Sequence, residues 1–81
     1  MQLEIPIIDL KETGKAIKQL RTDRGFTVKD LQEVLGFANP TAIYKWENGH
    51  SLPTLDNLLI LAHLFHTNVD AMLRYSLRTL N

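Results

Sequence analysis

The stretch that most constrains the fold is Phe26 to Gly49, FTVKDLQEVLGFANPTAIYKWENG. It holds two helix starts and two helix stops in a short span. Thr27 suits an N-cap, because its hydroxyl can accept a backbone N–H that the first turn leaves unpaired. Asp30 stands at N3, where its carboxylate can reach back to the Thr27 N–H and close a capping box. Val28, Leu31, Val34 and Leu35 recur at helical spacing and predict one buried stripe. Gly36 stops that helix after about nine residues. Phe37-Ala38 leads to Asn39-Pro40, a capping residue followed by a proline with φ already set for the first helical position. The next helix is predicted to end at Asn48-Gly49, with Ile43 and Trp46 inward and Thr41, Tyr44, Lys45 and Asn48 outward. Helices this short owe their stability to packing on the rest of the chain. The second helix of the pair is left with a polar face presented outward.

The rest of the chain supplies that packing. Thr13 is a fair N-cap for a first helix running to about Arg24, with Ala16, Ile17 and Leu20 inside and Gly25 as its stop. His50 to Pro53 reads as a loop. Thr54 caps a fourth helix whose main inner stripe is Leu55, Leu58, Leu59, Ala62 and Phe65. Ile60, Leu61 and Leu64 make that helix apolar over more of its circumference than a surface helix needs. Asn68 caps a short fifth helix with Val69, Met72 and Leu73 inward. Five short helices with tight connections predict an all-α fold. Before them, Leu3, Ile5 and Ile7 alternate with Gln2, Glu4 and Pro6, an extended pattern in which Pro6 confines any strand to an edge. Two readings of this arm stand: it covers apolar surface on its own domain, or it is exchanged with or paired to a second subunit. The expected layout is an N-terminal arm over 1–10, a domain over 11–75 with its helix-turn-helix at 27–48, and a tail over 76–81. The tail has no firm assignment, although Leu77 and Leu80 could continue an apolar face.

Composition excludes several function classes. The chain has 81 residues and no cysteine, so neither a disulfide nor a cysteine metal site staples its core. His63 and His66 stand at a spacing that can bind metal on a helix face. With no third ligand in view, polar or solvated histidines are the stronger reading. No nucleophile–base set or glycine-rich phosphate loop is visible, so an enzyme is not expected; nor are a cofactor, a metal or a small-molecule substrate. No apolar run approaches the length of a membrane span, and the start lacks a signal-peptide pattern. A cytoplasmic protein is expected. The net charge is +0, which argues against indiscriminate polyanion binding. Yet Lys11, Lys15, Lys18, Arg21, Arg24 and Lys29 cluster between residues 11 and 29, opposed only by Glu12 and Asp23, so a local positive face is available.

Residues 13 to 73 resemble the helix-turn-helix domain of the Xre/Cro/C1-repressor family. The resemblance rests on Leu20-Arg21 with Arg24-Gly25, Leu31 with Leu35-Gly36, Ile43-Tyr44-Lys45-Trp46-Glu47-Asn48-Gly49, and Pro53-Thr54-Leu55 with Leu58 and Leu61-Ala62. It implies a compact five-helix bundle of the lambda-repressor-like type, bacterial or phage-encoded and nucleoid-associated. It also implies sequence-specific binding to double-stranded DNA, with the helix over 40–48 in the major groove. The base-edge candidates are Asn39, Pro40, Thr41, Tyr44 and Lys45. Phosphate contacts, which position without reading sequence, fall to Thr27 and Lys29 and to Gly49, His50 and Ser51. Arg21 and Glu47 match a pair that bridges the first and third helices. Two departures stand out. Val28 occupies the place after the second-helix N-cap where many relatives carry Gln, and Phe37–Pro40 is one residue longer than the common turn, which shifts the start of the reading helix.

A homodimer on a palindromic operator is expected, since one short helix reads only a few base pairs. Ile60 and Leu64, four apart on one helix face, would form a dimer surface unless Ile5, Ile7 and Ile8 of the arm cover them. With no second domain for a metabolite, an effector would be a protein, or control would act through abundance. The alternatives are an antitoxin of a toxin–antitoxin pair, and a protein-interaction module that uses the same scaffold without DNA.

Overall fold

Asp9, not Thr13, starts the first helix: its side chain accepts the Glu12 N–H at 2.9 Å. The computed structural model describes residues 2–80; Met1 and Asn81, the outer ends of the expected arm and tail, lie outside them. The elements are β1 (Leu3–Ile8), α1 (Leu10–Asp23), α2 (Val28–Leu35), α3 (Thr41–Glu47), α4 (Leu55–Leu64), α5 (Val69–Met72) and β2 (Tyr75–Leu80). Thr13 is fully buried inside α1. Its hydroxyl accepts the Arg74 N–H at 2.9 Å and donates to the Arg74 carbonyl at 3.3 Å. A residue with a capping side chain thus serves a contact distant in sequence, which local spacing does not reveal.

The capping box on α2 is present: Thr27 Oγ1 accepts the Asp30 N–H at 3.0 Å and Asp30 accepts the Thr27 N–H at 2.8 Å. Leu31 is fully buried and Val28 and Leu35 are half-buried, but Val34 is 52% exposed. At 100° per residue Val34 stands roughly 120° away from Val28, off the face that the other three share. On α4 the buried stripe is Leu58, Leu61, Ala62 and Phe65, while Leu55 and Leu59 are exposed. A helix apolar on most sides gives periodicity little with which to choose its inner face. The core gathers Ile17, Leu31, Ile43, Trp46, Leu58, Leu61, Ala62, Phe65 and Met72. Phe26 closes one side of it against Phe65, with ring centroids 6.2 Å apart.

The fold is not all-α. The arm and the tail form a two-stranded antiparallel sheet in register from Leu3↔Leu80 to Ile8↔Tyr75. The ladder continues into Asp9, whose N–H donates to the Arg74 carbonyl at 2.8 Å. Leu77 and Leu80 therefore belong to a strand. The arm does not cover α4: Ile60 is 40% exposed, and a shallow apolar groove is lined by Leu59, Ile60, His63 and Leu64. A six-residue strand is roughly 20 Å long, which accounts for a molecule measuring 48 × 23 × 20 Å as a bundle with a projecting ribbon.

Candidate nucleic-acid interface

Three devices hold α3 at the surface. The first is an ion pair. Arg21 donates from Nε and Nη2 to the two carboxylate oxygens of Glu47, at 2.7 and 3.1 Å, and from Nη1 to the Phe26 carbonyl at 2.9 Å. The two side chains are only 10% and 5% exposed, so one guanidinium ties α1, α3 and the entry to α2 together out of water. The bond to Glu47 holds the Arg21 pKa above its ordinary value against the opposing effect of burial.

The second device is Gly14. A Cβ there would lie 2.3 Å from the Trp46 carbonyl oxygen and 2.8 Å from that of Glu47, so α1 meets the end of α3 backbone to backbone. The resemblance and the periodicity both passed over this residue. Its only signal was a glycine inside a helical pattern. Gly49 completes the approach from the other side. It follows α3 with φ +76°, and a Cβ on it would meet the Lys11 Cα at 2.8 Å.

The third device is the turn before α3. The Phe37 ring packs edge-on against Trp46 with centroids 5.8 Å apart. The Phe37 N–H donates to the Gln32 carbonyl at 3.0 Å, and the Gln32 side-chain amide returns to the Phe37 carbonyl at 3.3 Å. After this anchor α3 starts at Thr41, one residue later than expected, and Pro40 takes the N-cap position rather than the first helical one. The Asn39 side-chain oxygen accepts the Thr41 N–H at 3.0 Å from the position before the cap. That bond orients the Asn39 amide and leaves its NH₂ donors and one oxygen lone pair for another partner.

Asn39, Thr41, Tyr44 and Lys45 are exposed and Pro40 is half-buried, while Ile43 and Trp46 root the helix in the core. Tyr44 is 49% exposed. At the start of α2 the Thr27 oxygen accepts from the Asp30 N–H, and the Asp30 carboxylate faces the Thr27 side chain in turn. Asp30 places a carboxylate at the same helix end and partly offsets its positive dipole. Lys29 is exposed. After α3, the N–H groups of Gly49 and His50 are bonded to the Trp46 and Lys45 carbonyls at 3.1 and 2.9 Å. The donors left in that loop are the Ser51 and Leu52 N–H groups and the side chains of His50 and Ser51. Among the described residues no group of three or more His, Cys, Asp or Glu could hold a metal ion, and no helix is long and apolar enough to cross a membrane.

A model of the helix-turn-helix family matches residues 17–72, more than half of the chain. The chain belongs to the Xre/Cro/C1-type helix-turn-helix family. The family is one of DNA-binding transcription regulators. A curated helix-turn-helix relative, the HTH-type transcriptional activator BcrR of Enterococcus faecalis, is 34% identical over 62 residues, which are 76% of this chain and 30% of BcrR. The chain thus spans about a third of the length of that relative. Among solved structures, the restriction-modification controller protein C.AhdI from Aeromonas hydrophila superposes with a TM-score of 0.68 at 25% identity, over 79% of this chain and 96% of that one. The S. venezulae BldD DNA-binding domain superposes with a TM-score of 0.67 at 21% identity, over 82% and 97%.

Proposed function

We propose that the protein reads double-stranded DNA in a sequence-specific way and regulates transcription, with α3 in the major groove. The observation that carries this reading is the division of α3 into two faces. Ile43, Trp46 and Glu47 are locked to the scaffold, while Thr41, Tyr44 and Lys45 remain exposed, with Asn39 beside them. A rigid helix with polar groups of short and medium reach is what base-edge readout requires. Asn39, its oxygen turned toward the Thr41 N–H, offers its NH₂ to purine N7 or O6 acceptors. Thr41 and Tyr44 contact base edges, Pro40 touches a thymine methyl, and Lys45 reaches the backbone. Thr27, Lys29, His50 and Ser51 hold phosphates on either side. Gly49 contributes by letting the loop approach closely rather than by donating.

Two copies bind a palindromic site, with half-sites about 34 Å apart, one turn of B-DNA. Selection of bound sequences from random duplexes tests this: a palindromic consensus is expected. Thr41→Ala and Tyr44→Ala are each expected to change the preferred bases while the circular dichroism spectrum stays unchanged. An unaltered consensus in both would overturn the assignment of α3 as the reading helix. No retention on any duplex at low salt would favour the second reading, a protein-interaction module, which the net charge of +0 and the exposed groove at Ile60 support.

A further inference from the structure

The exposed ribbon has one edge that is closed to further pairing and one that is open. The Asp9–Arg74 hydrogen bond sets the phase of the ladder. Because hydrogen-bonded pairs alternate along an antiparallel pair, Ile7↔Ser76, Ile5↔Arg78 and Leu3↔Leu80 are the bonded ones. Pro6 then falls opposite Leu77 at a non-bonded pair, with its nitrogen on the outer edge of β1. That edge lacks a donor at its centre, a common guard against strand addition. On β2 the outward N–H and C=O groups belong to Tyr75, Leu77 and Thr79, and Tyr75 to Leu80 contains no proline.

We propose that β2 pairs edge to edge with β2 of a second copy, antiparallel about a two-fold axis at Leu77, to form a four-stranded sheet. The proposal rests on the reading of the protein as a homodimer and says which surface makes it. Three observations support it. A two-stranded ribbon alone is marginal in water, and added strands give it a stable sheet. The ribbon also exposes Leu3, Ile5, Ile7, Ile8, Tyr75, Leu77 and Leu80, each by 37–58%. Of these, Tyr75, Leu77 and Leu80 lie on the pairing strand itself; at about 200 Å² for a residue of this size, roughly 300 Å² of apolar area per copy lies on that strand, so the backbone hydrogen bonds of the new pair carry much of the interface.

The third observation concerns register. A two-fold axis at Leu77 sets Leu77 against Leu77, Tyr75 against Thr79 and Ser76 against Arg78. An axis at Arg78 would set two guanidinium groups directly opposite each other, which is unfavourable.

Analytical ultracentrifugation of the full chain tests the proposal. A dimer is expected, and Leu77→Lys and Leu77→Glu, each facing its own like charge, are each expected to weaken it on the order of 100-fold. Leu77 is 58% exposed, so both variants should keep the helical circular dichroism of the parent. An equimolar mixture of the two should restore a dimer containing one copy of each, because only residues next to a two-fold axis face themselves. Ile60→Lys should leave the dimer intact. A Leu77→Lys dimer of parental strength, or a dimer broken by Ile60→Lys alone, would overturn the proposal. So would a parent chain that stays monomeric at high concentration, even if it still binds a DNA half-site. A dimer that is sensitive at Leu77 but binds no DNA would uphold the interface and remove only the DNA reading.

Discussion

Arg21 shows how one residue ties several parts of the fold together. Its guanidinium uses two donors on Glu47 and a third on the Phe26 carbonyl, with both ionic side chains nearly out of water. Removing one partner leaves a buried carboxylate and a carbonyl without donors. Arg21→Ala is therefore expected to cost about 3–5 kcal/mol in urea denaturation. Arg21→Lys should fall in between, since an ammonium cannot reproduce the planar fork. A loss under about 1 kcal/mol for Arg21→Ala would mean that the pair is wetter than its geometry indicates. The Lys15–Glu12 pair provides the contrast. At 3.2 Å but largely exposed, it is worth about 0–1 kcal/mol and less in salt. The resemblance named Arg21 and Glu47 from residue type and position. It gave no hint of the third bond to Phe26, because backbone carbonyls have no sequence signature.

Among the elements, α1 is the brace for α3. Gly14→Ala would favour the isolated helix by about 0.5–1 kcal/mol. Here the added methyl would overlap the Trp46 carbonyl, and neither backbone can yield without moving α3. A net loss of roughly 1–3 kcal/mol in thermal unfolding is expected, together with weaker DNA binding. A variant that melts at or above the parent temperature would show that α1 and α3 are not in fixed contact. The capping box of α2 predicts a pH dependence. Asp30 is held below the usual carboxylate range because it accepts the Thr27 backbone N–H and, second, interacts with the Thr27 side-chain hydroxyl. A carboxyl with a depressed folded pKa stabilises fully above its unfolded pKa, and that contribution is lost as pH falls through the folded value. The stability gap between parent and Asp30→Asn should be constant near neutrality and close in acid. A gap that widens as pH falls would contradict this.

At the scale of the whole molecule, neutrality limits how much DNA affinity can be electrostatic. In the proposed complex Lys29 and Lys45 are the cations at the backbone, two per copy. Two copies would then release counterions to give a slope of log affinity against log salt near −4. Replacing Lys29 with Ala in both copies should make the slope shallower by about 2. A slope near zero would remove the phosphate contacts, and one far steeper would bring in the lysines of α1. The molecule is also longer than its bundle requires, because about 20 Å of ribbon projects from it.

The sequence alone determined what depends on near neighbours. Caps and stops delimited the helices: Thr27 with Asp30, Gly36 and Asn68 act as local rules require. The 3.6-residue period placed Ile17, Leu31, Ile43, Trp46 and Met72 inside. Tertiary structure decided what depends on contacts between distant residues. Thr13 is a bridge to Arg74 rather than a cap, and α4 buries Leu61 rather than Leu59. The arm and the tail, each ambiguous alone, become strands because each supplies the hydrogen-bond partners the other lacks. Backbone pairing depends little on side-chain identity, so no local pattern could announce it.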